Sequence, residues 1–331
     1  MKKFTMAAVA AFALATGSAS AADLVTKAKP APAPEPSNWD LAFGSAIASD
    51  YVFRGVTQSN HKPSVAAYFE PRYNINKDNQ LYAGIGGASI SFPNRAAGEV
   101  DFYAGYRPTF DKFAFDFGVW YYYYPGGQCF SAISNINTFD CSPSGGSSPQ
   151  PLPNFNAIKA NLSFWEAYAR VNYTVNDNVS LGGYVYYSPS VLNSGAPGVF
   201  YGVTGKYAWA AMSNGVQPYV SAEVGHWDLG TTDSFYGIPN NPAYVGGIPL
   251  PSYTTWNAGL GWTYKVFTVD LRYIDTNLSK ANCNVFTGDH TATFNASALN
   301  SINTTGNASN WCGATFVARL SADLTVNTNL K

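Results

Sequence analysis

The sequence predicts an all-β chain, a transmembrane up-and-down antiparallel β-barrel of about 12 strands. Three observations predict it. From Trp39 to Leu324 the chain runs through short segments in which apolar and polar residues alternate, the period of a strand. The gaps between segments are alternately short and long, as tight turns on one side of a membrane and long loops on the other would leave them. A secretory leader precedes everything else.

The leader is read at 1–21, where Lys2 and Lys3 precede an apolar run from Met6 to Leu14 and small residues end at Ala19-Ser20-Ala21. Nothing downstream approaches the roughly 18 consecutive apolar residues of a spanning helix, so a membrane would be crossed by strands. Residues 22–38 carry the alternating prolines Pro30, Pro32, Pro34 and Pro36, which favour an extended polyproline conformation. They read as a periplasmic tether, a spacer that could also contact the cell wall.

The barrel is expected over 39–331. Its strands are read at 39–54, 63–75, 79–91, 98–109, 112–124, 158–175, 178–188, 198–210, 215–228, 252–264, 266–278 and 311–325. Tight turns carrying Asn76-Lys77-Asp78, Asp111, Asn176-Asp177, Ser213-Asn214-Gly215 and Lys265 follow every even strand. The longer connections, rich in Gly, Pro, Ser and Asn, follow every odd one. An even count returns both termini to the side of the short turns, the periplasmic side in bacterial barrels, and leaves the long loops extracellular.

Strand parity then sorts the side chains. In the fifth segment Phe113, Phe115, Phe117, Val119 and Tyr121 share one face; in the eleventh, Phe267, Val269, Leu271 and Tyr273 do. These must face lipid, because an Arg or Lys on that face costs about 2–4 kcal/mol at the midplane. The opposite parity places Asp50, Arg54, Glu70, Arg72, Asp101, Arg107, Asp116, Glu166, Arg170, Lys206, Glu223, Asp270, Arg272, Arg319 and Asp323 in the lumen. Composition agrees: 16% aromatic residues, among them 23 tyrosines, suit interfacial girdles, and 12% charged is low for a soluble domain. Without Lys2 and Lys3 the chain has 17 basic against 20 acidic groups, and its unclustered basic residues exclude a nucleic-acid footprint.

A charged interior of both signs suits a water-filled passage, or an ion network that closes the barrel. Eight strands fill their own lumen and sixteen leave a channel, so twelve lies between. The long loops after strands five, nine and eleven could fold inward. Cys129 and Cys141 share one long loop, and Cys283 and Cys312 another; pairing within each loop is the simplest of three connectivities in an exported chain. Without a Cys-x-x-Cys spacing these cysteines do not suggest a metal site. His226 has lipid-facing parity near the loop end of strand nine, where strands eight and ten offer Tyr201, Val203, Trp256 and Ala258 but neither a serine nor a carboxylate to orient it. It is read as an interfacial histidine without chemistry.

Ser49-Asp50-Tyr51-Val52-Phe53-Arg54-Gly55, followed by Gln58-Ser59 and Lys62-Pro63, resembles the opening of the TorF family of porins. Tyr82-Ala83-Gly84, Asp101-x-Tyr103-x-Gly105-Tyr106 and Trp165-Glu166-x-Tyr168 are similar to later strands of that family. The resemblance implies an outer-membrane barrel acting as a channel and names no substrate. Two features depart from it: the chain continues past Leu324 to Lys331 rather than ending on an aromatic residue, and the cysteine-bearing loops are foreign to the pattern. Asp50 and Arg54 are expected either as an ion pair lining the extracellular entrance or as pins of the first loop.

The resulting expectation is a bacterial outer-membrane channel for passive diffusion of small hydrophilic solutes or ions, not an enzyme, with no cofactor. Its partners would be outer-membrane lipids and those solutes. The rivals are a plugged barrel acting through its loops, and a lipid-modifying barrel that needs a polar partner for His226.

Overall fold

The computed structural model describes residues 38–131 and 152–330. The leader at 1–21, all of the tether at 22–38 but Asn38, and the Cys129–Cys141 pairing lie outside the described residues. Twelve antiparallel strands close into one barrel. They are β1 (Trp39–Ala48), β2 (Ser64–Asn76), β3 (Asn79–Ala88), β4 (Glu99–Phe110), β5 (Phe113–Tyr123), β6 (Phe164–Thr174), β7 (Val179–Ser188), β8 (Gly198–Ala208), β9 (Gln217–Leu229), β10 (Tyr253–Tyr264), β11 (Phe267–Thr276) and β12 (Thr315–Thr325). Each pairs with its chain neighbours, and β12 closes on β1 with Ala42 opposite Thr325 and Ala48 opposite Arg319. Closure removes the two edges that an open sheet would expose, which is what lets strands cross lipid.

All twelve predicted segments are strands. Two boundaries differ in a way that matters. β1 stops at Ala48, because residues 49–63 turn into the barrel, and β6 starts at Phe164, because 158–163 belongs to the preceding loop. Both ends of the barrel chain, Trp39 and Thr325, lie at the rim that carries the short turns. There α2 (Val326–Asn329) folds back, and Asn327 donates to Asp40 and to the Trp39 carbonyl.

The period of two is visible in burial. Along β5, Phe113, Phe117, Val119, Tyr121 and Tyr123 are exposed to the surroundings, while Trp120 and Tyr122 are buried inside. Phe267, Val269, Leu271, Phe316 and Leu320 are likewise exposed on β11 and β12. For a soluble protein this belt would be an aggregation surface; around a closed barrel it is the lipid contact.

The barrel interior is packed. Tyr82, Tyr103, Trp120, Tyr122, Phe164, Tyr168, Tyr186, Phe200, Trp227 and Tyr253 form one buried cluster that also takes in side chains of the loops. Room for these rings comes from glycines on facing strands: a Cβ at Gly118 would sit 2.6 Å from the Tyr168 hydroxyl. Above the rim, the loop after β11 carries α1 (Lys280–Thr287), capped by the Ser279 side chain and stapled by the Cys283–Cys312 disulfide. Asn156 ties this loop to the one after β5, donating to Asn284 at 2.7 Å and accepting from Asn307 at 3.0 Å.

Candidate functional site: a barrel closed by its first loop

The first loop makes a miniature hairpin, Val52–Phe53 against Val56–Thr57, whose tip is Arg54-Gly55. Both tip residues have positive φ, +49° and +83°, the signature of a tight turn that matches strand twist. At Gly55 a Cβ would meet Thr255 Oγ1 at 2.5 Å, so the tip is pressed against the wall as well as strained in conformation.

The tip delivers Arg54 into the lumen, where its guanidinium makes two parallel bonds to Glu166 on β6, Nη1 to Oε1 at 2.8 Å and Nη2 to Oε2 at 2.7 Å. Each side chain is 1% exposed. Four rings surround the cation: its central carbon is 4.3 Å from the Phe200 centroid, 4.4 Å from Trp227, 4.6 Å from Phe53 and 4.9 Å from Tyr186. A desolvated ion pair of this kind is costly to form and more costly to break on one side. Its bidentate, ring-stacked geometry suits arginine and not lysine.

The rest of the loop is tied to many elements. Asp50 accepts from Thr57 Oγ1 at 2.5 Å, Ser59 Oγ at 2.8 Å and pairs with His61 Nδ1 at 2.9 Å. That contact holds the His61 imidazolium above its ordinary titration range, assisted by the Asn310 carbonyl and opposed by partial burial. Tyr51 donates to Glu99, as does Tyr124, at 2.6 and 2.9 Å. Tyr253 donates to the Arg54 carbonyl, Thr57 N to the Trp311 carbonyl, and Ser91 N to the Gln58 carbonyl.

Asp50 and Arg54 therefore do not pair with each other at the entrance. Parity along β1 fails as a guide past Ala48, and the two residues pin opposite ends of an inserted loop. The first loop, not singled out from length, folds deepest into the lumen, and Phe286 of the loop after strand eleven packs onto Trp227 and Tyr253 above it.

The remaining charged residues expected in the lumen all point inward and fall into groups. Glu70 accepts from Arg72 and Arg107, at 2.5 and 2.8 Å, and Arg107 reaches Asp116 at 3.5 Å. Tyr82 donates to Asp116 at 2.5 Å and shares a short contact with the Tyr168 hydroxyl. Asp101, Arg170, Arg319 and Asp323 line a cavity of about 40 Å³, the size of one or two waters. Across the barrel Arg272 chelates Asp270, at 2.9 Å for the closer contact, and bonds Asn257 and Ser221. Glu223 accepts from Tyr184 and Asn257, while Lys206 lies 4.2 Å from the Tyr219 ring centre. The charged interior beneath the plug thus holds ion-paired groups around Glu70–Arg107–Asp116 and Asp270–Arg272, with Lys206 set against a tyrosine ring.

A second constellation lies on the outer wall. His226 contacts Thr254 Oγ1 through Nδ1 at 2.8 Å and Asp228 Oδ1 through Nε2 at 3.2 Å, and its ring lies tilted 5.8 Å from that of Tyr201. The expectation that nothing polar orients His226 is overturned. Asp228 has the same parity two residues along β9, and Thr254 is its direct partner across β10. Both signals were present in the sequence.

Residues 32–179 match a family model described as "Bacterial protein of unknown function (Gcw_chp)". No curated protein matches the chain. Solved structures similar to it include LpxR from Salmonella typhimurium, 12% identical over 86% of this chain and 99% of that one with a TM-score of 0.40. An outer membrane channel from Pseudomonas putida F1 is 10% identical over 90% and 100%, TM-score 0.40, and a NanC porin 8% over 86% and 97%, TM-score 0.37. The neighbours are outer-membrane barrels, porins and channels among them. The expectation that the chain is not an enzyme is corrected here: LpxR from Salmonella typhimurium and OmpT of Vibrio cholerae stand among the similar structures beside the porins.

Proposed function

We propose that the protein is an outer-membrane channel for small hydrophilic solutes or ions, held shut by the loop of residues 49–63. The observation that carries this reading is the Arg54–Glu166 pair, a charged latch set in the lumen by a hairpin that belongs to no barrel strand. Charged side chains of both signs line the wall below the plug, the setting that lets ions and polar solutes shed hydration at low cost. The TorF-like opening motif supports the same reading, since it spans the latch itself. On this reading the leader at 1–21 directs export, the tether at 22–38 and both termini lie in the periplasm, and the tether can reach the cell wall. Liposome swelling tests it: vesicles bearing the protein with residues 52–57 replaced by a short Gly-Ser linker should swell in small sugars, and vesicles with the intact chain far more slowly. Equal, negligible swelling by two folded proteins would leave a solid barrel acting through its loops.

A second reading rests on Thr254, His226 and Asp228. An imidazole held between a hydroxyl and a carboxylate on the lipid-facing wall is the arrangement that acyl transfer uses, with threonine as nucleophile and histidine as base. It predicts release of fatty acid from outer-leaflet lipid, lost in His226→Ala; no release by either protein removes it.

A further inference from the structure

Above the plug the loops surround a partly open cavity of about 360 Å³. All six long loops contribute to its walls, and its floor is the first-loop hairpin, through Phe53, Val56, Thr57 and Gln58. We infer that this vestibule is a binding site for an uncharged, ring-bearing small molecule, seated directly on the plug. The inference concerns the loops and does not rest on conduction.

Three observations carry it. The first is size: 360 Å³ lies within the span of about 300–1,000 Å³ typical of ligand sites, and a benzene occupies a cavity of roughly 150 Å³, so two or three fused rings fit. The second is chemistry. The wall carries aromatic rings, among them Phe155, Phe164, Trp227, Phe235 and Trp311, with aliphatic side chains between, and among the described residues no Asp, Glu, Lys, Arg or His. In a chain whose lumen is crowded with charge, a charge-free chamber immediately above it selects against ions, because a charge moved there would lose hydration and gain no partner. The third is the state of the polar groups that are present. Asn156, Asn284 and Asn303 bond to one another and to loop carbonyls, so they hold the wall together rather than await a ligand. Gln58 differs: its Nε2 donates to the Val56 carbonyl within the hairpin, leaving its carboxamide oxygen to accept from a ligand hydroxyl or amine.

The site is also built to persist. The Cys283–Cys312 disulfide and the Asn156 bonds between the two largest loops fix the roof, so the cavity does not depend on a ligand to form.

The test uses the full-length folded protein in detergent and the neutral fluorophore N-phenyl-1-naphthylamine, read by energy transfer from Trp227 and Trp311. The expected result is saturable binding near one probe per chain. The anionic analogue 1-anilinonaphthalene-8-sulfonate should bind at least tenfold more weakly. Ala157→Trp and Leu250→Trp each fill the cavity and should each lower neutral-probe affinity at least tenfold, in protein whose heat-modifiable migration shows a folded barrel. Two separate filling variants guard against a local misfold in one loop. Non-saturable partitioning, equal affinity for the two probes, or binding unchanged in both filled variants would overturn the assignment.

Discussion

Replacing Arg54 with alanine removes one half of the buried latch and leaves Glu166 desolvated inside the barrel. Breaking a buried pair on one side costs about 3–5 kcal/mol, and at about 1.4 kcal/mol per tenfold this is on the order of 100- to 4,000-fold in an equilibrium constant. Glu166 keeps a contact from Tyr122 at 3.3 Å, and the loop keeps its ties through Asp50, Tyr51 and Thr57. The lower end, about 100-fold, is therefore expected. The quantity at stake is the equilibrium between seated and released loop, which native-state hydrogen exchange reports as the opening of particular amides. Thr57 N and Gln58 N are the amides to follow, because the first bonds out of the loop to the Trp311 carbonyl and the second closes the hairpin on the Tyr51 carbonyl. In Arg54→Ala they should exchange about 100-fold faster, while β-ladder amides of β8 and β9 stay protected. Changing both partners, as Arg54→Met with Glu166→Leu, should recover most of the protection, since an apolar pair leaves no stranded charge. Unchanged exchange in Arg54→Ala would refute the claim that the pair holds the loop.

Other perturbations probe neighbouring parts of the same design. Gly55→Ala meets both a φ of +83° and the Thr255 hydroxyl, so it should loosen the hairpin by at least the ~1–2 kcal/mol of a left-handed residue, seen as faster exchange at Thr57. His61 titrates above its ordinary value of 6.5 because of Asp50, so its contribution is complete below 6.5 and is lost as pH rises through the raised value. Loop exchange, corrected for intrinsic rates, should therefore accelerate toward alkaline pH, and His61→Ala should flatten that dependence. Reducing Cys283–Cys312, separated by 29 residues, removes about 3–4 kcal/mol of loop restraint. Protease should then cut within 279–310 while the barrel keeps its heat-modifiable migration; a barrel that also unfolds would show the staple to be global.

Much of this was legible in the sequence because a barrel wall repeats every two residues: Phe267, Val269 and Leu271 can face only one way if Asp270 and Arg272 face the other. The first loop was not legible by that rule. Asp50, Val52 and Arg54 continue the alternation of β1, and the break comes only from two successive positive-φ residues at Arg54-Gly55, where arginine is an unusual choice for the first position. A two-residue turn between Val-Phe and Val-Thr was the available signal. Residues 158–163 misled in the opposite way, being apolar enough to read as strand although Ile158 bridges to Phe130 inside the loop cap. Nor does any local pattern announce that Glu166, 112 residues away, answers Arg54; only barrel closure brings β6 under the first loop. The partners of His226 were within reach of parity and register, since Asp228 lies two residues along its own strand and Thr254 shares the parity of Trp256.

The central claim is that a passage exists and that the first loop shuts it. Single-channel recording in planar bilayers, comparing the intact protein with Arg54→Ala under one salt gradient, tests it most directly. The account predicts long silences from the intact chain, and frequent discrete steps of one conductance from the variant. Silence from both, with each shown to be folded, would contradict it, and so would identical steps from both.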